Sequence, residues 1–162
     1  MVEAQQLPLT PAQIAALLQP ELICLELGTR EKIPALRELA ALLKGHPALT
    51  KHEAFFREIL ARERASNTGL GHGLAMPHAR TELCRDIVIA VGRSASGIDY
   101  GAPDGEPVQL LFLIGTPQQG AKLYHCLVVG LARLLARASN CQRLLAAPDI
   151  PAFIRAVAGL RV

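Results

Sequence analysis

The chain has no tryptophan, and aromatic residues make up only 4% of it, so any core must be assembled from Leu, Ala, Val and Ile. With 162 residues, 51% hydrophobic and 19% charged, it is long enough to bury such a core without disulfide or metal staples. That composition also excludes a disordered chain. No apolar run approaches the roughly 20 residues that a bilayer-spanning helix needs. The N-terminal MVEAQQLPLTPAQ lacks the basic-then-apolar order of a secretory signal, so a cytoplasmic protein without membrane insertion is expected. Cys24, Cys84, Cys126 and Cys141 form no CxxC pair, which argues against zinc ribbons and thioredoxin-like redox chemistry and leaves small reduced thiols. The 17 basic residues are scattered, so no concentrated basic face for nucleic acid is expected. A net charge of +3 remains compatible with an acidic protein partner.

The patterning that is present alternates helices with strands. Thr10 before Pro11 reads as an N-cap with proline at the first helical position. ICLEL (23–27) reads as a strand. A helix starting at Thr29 places Ile33, Leu36, Ala40 and Leu43 on one face, and Gly45 ends it. Thr50 and Glu53 have capping-box spacing and open a helix with Phe56, Ile59 and Leu60 inward, running to Arg64. Residues 86–94 and 107–115 are apolar runs bounded by turn residues and predict buried strands, joined by a short extended piece and a turn at Asp104-Gly105. A long helix from about Gly120 to Arg137 carries Leu123, Leu127, Leu131, Leu134 and Leu135. Prolines split the remainder into two short helices. Helices interleaved with buried strands indicate an α/β layer fold.

Chemistry concentrates in SNTGLGHGLAMPHAR (66–80). Gly69, Gly71 and Gly73 cannot continue a helix, at about 1 kcal/mol each relative to alanine. Neither GxGxxG nor GxxxxGK[ST] fits them, which disfavours a nucleotide site. They can expose N–H groups to an anion or make a plain tight turn. His72 has a glycine on each side and no rigid neighbour to hold its ring. His78 follows Pro77, which fixes the backbone before it, so one ring nitrogen can be bonded and the other exposed, as a nucleophilic histidine requires. A structural histidine near a turn is the alternative. His125 lies about 200° around the wheel from Leu123, in the first turns of its helix, where unpaired N–H groups favour an anion. Arg62, at the end of the preceding helix, has the planar fork that suits phosphate oxygens, or it is a solvated helix terminus. His46 and His52 read as surface residues.

Together, RERASNTGLGHGLAMPHAR resembles the signature region of the type-2 enzyme IIA domains of the bacterial phosphoenolpyruvate-dependent phosphotransferase system. That pattern is Arg-Glu, Ser/Thr, Thr-Gly-Ile-Gly-x-Gly and Ala-Ile-Pro-His. It is matched here by Arg62-Glu63, Ser66, Thr68-Gly69-Leu70-Gly71-His72-Gly73 and Ala75-Met76-Pro77-His78. The departures are Met76 and Ala79 flanking Pro-His, Cys126 where leucine is usual, and an extra residue between Pro117 and His125.

The resemblance implies a single domain over 1–162 with a mixed central sheet of about five strands flanked by helices. It also implies that His78 is the phosphoryl acceptor, with Arg62 and His125 around the phosphoryl group. Loop N–H groups from Thr68 to Gly73, with the Ser66 and Thr68 hydroxyls, complete the expected phosphate contacts. The implied donor is an HPr-type phosphocarrier protein, and no metal or nucleotide cofactor is required. A length matching one domain favours the stand-alone nitrogen-regulatory type, whose output is a regulatory target protein. The alternatives are a fructose- or mannitol-type enzyme IIA donating to an enzyme IIB, and a docking module that has lost phosphotransfer. A His72/His78/His125 metal site lacks an acidic or cysteine ligand at useful spacing.

Overall fold

In a computed structural model, which describes residues 7–162, an interrupted mixed sheet lies between two helical layers. Helix α1 (Pro11–Leu17) starts as the sequence dictates. Thr10 accepts from the Gln13 N–H, and Gln13 returns the bond by accepting the Thr10 N–H at 2.9 Å. A short 3-10 turn (Pro20–Leu22) leads into β1 (Ile23–Cys24), shorter than the expected 23–27. The chain leaves the ladder there, although Leu27 still donates its N–H to the Arg93 carbonyl.

Helix α2 (Lys32–Ala41) begins later than Thr29, whose hydroxyl instead accepts the Glu31 N–H. Its inward stripe is Ala35, Leu36, Leu39 and Ala40, continued by Leu43, while Ile33, expected inward, is 40% exposed. Helix α3 (His52–Ala65) is not opened by the expected Thr50/Glu53 capping box. Lys51 is its N-cap, and the Thr50 hydroxyl and N–H both donate to the Leu83 carbonyl instead. The Leu83 carbonyl thus takes the Thr50 N–H that the Glu53 carboxylate would accept in a capping box. His52 is half-buried and bonded to the Ala40 carbonyl at 2.6 Å, and His46 is half-buried between Gln19 and the Ala48 N–H. Both expected surface histidines thus tie elements together.

The strands that follow are β2 (Gly69–Gly71), β3 (Leu74–Ala75), β4 (His78–Arg80), β5 (Val88–Ile98) and β6 (Val108–Thr116). The sheet order is β1-β5-β6-β3-β2, with β4 also on β6. Strand β6 is antiparallel to β5 and parallel to both β3 and β4. Leu74 faces Leu110, Ala75 faces Leu111 and His78 faces Ile114, so register is unchanged across residues 76–77. β3 and β4 are one strand broken where Pro77 has no N–H to give, and the sheet is five positions wide, as expected.

Side chains alternate to two faces. Ala75, Ala79, Ala90, Leu111 and Leu113 pack under α2 and α3. Leu74, Met76, Val91, Phe112 and Ile114 pack under α1, α4 (Ala121–Leu135), α5 (Ala138–Ala146) and α6 (Ile150–Ala158). Leu123, expected in the α4 stripe, is 42% exposed, and the stripe starts at Leu127. Among the described residues no helix is long and apolar enough to cross a membrane.

One buried polar cluster fastens the end of α3 to the loops around it. Glu63, 5% exposed, receives Lys32 at 2.8 Å, the Thr68 N–H at 2.9 Å and the Thr68 hydroxyl at 2.5 Å. The Tyr100 hydroxyl lies 2.9 Å from the Thr68 hydroxyl, and Lys32 stands over the Tyr100 ring. Burial alone would raise the Glu63 carboxyl, but hydrogen bonds from Lys32 and Thr68 outweigh it and hold the group below its ordinary value. A carboxyl depressed in the fold stabilises above its unfolded pKa, and that stability is lost as pH falls through the folded value. Glu63→Gln should therefore destabilise by about 2 kcal/mol near neutral pH, since it leaves Lys32 unpaired. Urea unfolding at a series of pH values should show the gap from the parent protein closing below about pH 4.

Candidate functional site

His78 sits at the carboxyl end of the broken strand, beside the end of β6. Alternation from Leu74 and Met76 puts His78 and Arg80 on the α4 side of the sheet. The His78 Nδ1 is 3.0 Å from the Met76 carbonyl oxygen. A carbonyl only accepts, so Nδ1 carries the proton and Nε2 keeps its lone pair. The ring is half-buried, which leaves that lone pair accessible from the adjoining cavity.

The cavity is about 630 Å³ and is lined by His78, Arg62, Arg80, Gln118 and Tyr124, with Glu58 and Glu82 among its other walls. Arg62 reaches it from α3, held by an Nη1 bond of 3.1 Å to the Ser66 carbonyl. Arg80 donates from Nε and Nη2 to the Gln118 carbonyl at 2.8 and 2.6 Å. That pair of bonds fixes the turn into α4 and, among the described residues, leaves Nη1 of Arg80 without a hydrogen-bond partner. The Tyr124 ring packs on the His78 ring, with centroids 5.4 Å apart. Burial raises the Tyr124 phenol, against a downward pull from the nearby Arg62 charge. Two guanidinium groups and one nucleophilic nitrogen thus share a cavity, a set suited to a phosphoryl group.

His125 is exposed on α4 and lines a neighbouring cavity of about 410 Å³ with Arg80, Lys122 and Tyr124. The two cavities share Arg80 and Tyr124, so His125 stands at the rim. Ser66 is exposed and contributes its carbonyl to Arg62.

The glycine loop is not brought to this cavity. Gly73 pairs beside Gln109 and Leu110, about 13 Å along β6 from the position facing His78, at about 3.3 Å per residue. Two of its donors are also committed, Gly69 N–H to Asn67 Oδ1 at 2.7 Å and His72 N–H to Asp104 at 2.9 Å. The Thr68 N–H and hydroxyl belong to Glu63. The expectation that Thr68, Gly69, Gly71 and Gly73 surround the anion meets this geometry, in which they build the hairpin. Gly71 and Gly73 have φ of +84° and +78°, which only glycine adopts freely. Gly69 lies so close to Ala102 that an added Cβ would be 3.0 Å from the alanine methyl.

Among the described residues no group of three or more His, Cys, Asp or Glu side chains could hold a metal ion. Sequence reasoning missed Arg80 and Tyr124. Arg80 was legible in principle, two residues from His78 on the same strand face. Tyr124 could be found only from the rotation of α4.

Known proteins resemble the chain over most of its length. The family described as "Phosphoenolpyruvate-dependent sugar phosphotransferase system, EIIA 2" matches residues 16–158. The chain is 31% identical to a nitrogen regulatory protein of Pseudomonas aeruginosa, covering 80% of this chain and 83% of that protein. It is 36% identical over 88% of its length to the fructose-specific EIIABC component of Bacillus subtilis, and spans 22% of that protein. The structure of nitrogen regulatory protein IIA-Ntr from Neisseria meningitidis superposes with a TM-score of 0.83 at 26% identity, covering 89% of this chain and 98% of that one. The chain belongs to the EIIA type-2 family of the phosphoenolpyruvate-dependent sugar phosphotransferase system.

Proposed function

We propose that this chain carries a phosphoryl group on Nε2 of His78, received from the phosphohistidine of an HPr-type protein. The supporting observation is the bond from His78 Nδ1–H to the Met76 carbonyl, which makes Nε2 the nucleophilic nitrogen of the ring. Its lone pair attacks phosphorus in line with the donor's N–P bond. The new N–P bond forms as the old one breaks, the electron pair returns to the donor's imidazole, and the Nδ1 proton stays on His78. Charge develops on the peripheral phosphoryl oxygens, so the protein's task is positioning and positive charge. Arg62 and Arg80 supply it beside His78, and His125 adds a donor at the rim. Ser66 and Thr68 act at one remove, by holding Arg62 and the end of α3.

Regulation is the output this reading favours. The similarity to the Pseudomonas nitrogen regulatory protein covers most of both chains, and a new charge at the cavity changes what the rim can bind. Donation to an enzyme IIB is the second reading, supported by the similarity to the fructose-specific component.

Incubation with phosphoenolpyruvate, enzyme I and an HPr-type carrier, followed by intact mass measurement, tests the reading. The protein should gain an acid-labile phosphate, His72→Ala should keep it, and His78→Ala should lose it. Arg62→Ala should slow labelling by about 100-fold. No label under conditions that phosphorylate a control enzyme IIA would favour a docking module instead. Passage of the label to a fructose-type enzyme IIB would assign the sugar output over the regulatory one.

A further inference from the structure

The His78 ring is held by a single hydrogen bond among the described residues, from Nδ1 to Met76. Its χ2 torsion is of the broad, two-fold kind. A half-turn about that torsion would break the bond and present Cε1, which has no lone pair, where Nε2 had been. A contact that opposes such a turn is Tyr124, whose ring lies 5.4 Å from the imidazole at an interplanar angle of 42°. That is within the 4.5–7 Å range of aromatic pairs in direct contact.

Helix α4 turns about 100° per residue, so Tyr124 and His125 leave it in different directions. Tyr124 is the half-buried one and His125 the exposed one. Tyr124 also lines both cavities, which places it where a phosphoryl group and a docked donor would meet. Its phenol stays protonated, because burial raises it more than Arg62 lowers it, so it brings no negative charge against the incoming phosphate.

We propose that Tyr124 is the positioning residue of the phosphotransfer, its ring stopping the His78 imidazole from turning so that Nε2 faces the incoming phosphorus. The proposal rests on His78 being the acceptor. It assigns the contact with His78 to the ring of Tyr124 rather than to its hydroxyl or to His125.

Two measurements on the parent protein, Tyr124→Phe and Tyr124→Ala test it. One is the rate of phosphoryl transfer from the phosphorylated HPr-type carrier, and the other is the tautomer of His78 from two-bond 1H–15N correlations. Tyr124→Phe should transfer within about twofold of the parent and keep the Nδ1–H tautomer. Tyr124→Ala should be about tenfold slower and show an averaged His78 tautomer, with backbone amides away from the cavity unmoved. Parent-like rate and tautomer in Tyr124→Ala would overturn the proposal, and so would a Tyr124→Phe protein as slow as Tyr124→Ala. A parent protein that takes no phosphate, while Tyr124→Ala alone loses the single tautomer, overturns the carrier reading and supports the positioning of the ring.

Discussion

The Ile114 N–H donates to the Pro77 carbonyl at 2.9 Å, and the placement of His78 follows from that bond. Pro77 cannot donate, so the strand loses one ladder bond there, yet it accepts on β6 in the register set at Leu74 and Ala75. The break therefore costs pairing without changing direction. The Met76 carbonyl, on the edge away from β6 where the Met76 N–H meets the Thr68 carbonyl, accepts from the His78 ring two residues along on the same strand face. The pairing of Pro77 on β6 thus sets the position of the imidazole, and the Met76 carbonyl on the opposite edge selects its tautomer.

Around that point the two helical layers supply different things. Strand alternation aims His78 and Arg80 at the α4 layer, where Tyr124 meets the imidazole. The α3 layer supplies Arg62, and the neighbouring residue Glu63 anchors that helix end through Lys32 and Thr68. The cavity is therefore assembled between a rigid strand end and a pinned helix end, the arrangement that positions groups better than loops do. The buried ion pair has its own cost in desolvation, offset by the hydrogen bonds that Thr68 adds to the same carboxylate.

Much of the fold was legible because it rests on period. The long strands, α4 and the Thr10 cap follow from apolar spacing and local capping chemistry. What was misread depended on distant partners. The strand expected over 86–94 in fact continues to Ile98 in β5. Gly92 is needed there because Leu39 and Leu27 would lie within 3 Å of an added Cβ, and Gly97 takes a φ of +83° where the register with β6 shifts. Thr50 lost its expected cap to Leu83.

The site divides in the same way. The motif put His78 and Arg62 forward and the fold brings both to one cavity, but the glycines beside them in sequence are carried about four residues away along β6 by the parallel pairing. The Thr68 hydroxyl is taken by Glu63, five residues earlier in the chain. Tyr124 was hidden by its position on α4. Sequence spacing cannot show which of two adjacent helix residues faces a strand across a cavity.

The central claim is that the Met76 carbonyl holds the proton on Nδ1 and leaves Nε2 to bond phosphorus. The most direct test is a long-range 1H–15N correlation spectrum of the phosphorylated, 15N-histidine-labelled protein, which reports which ring nitrogen carries the phosphoryl group. Phosphorus on Nε2 of His78, with Nδ1 still protonated, is the predicted result. Phosphorus on Nδ1 would require the bond to Met76 to break and would contradict the account.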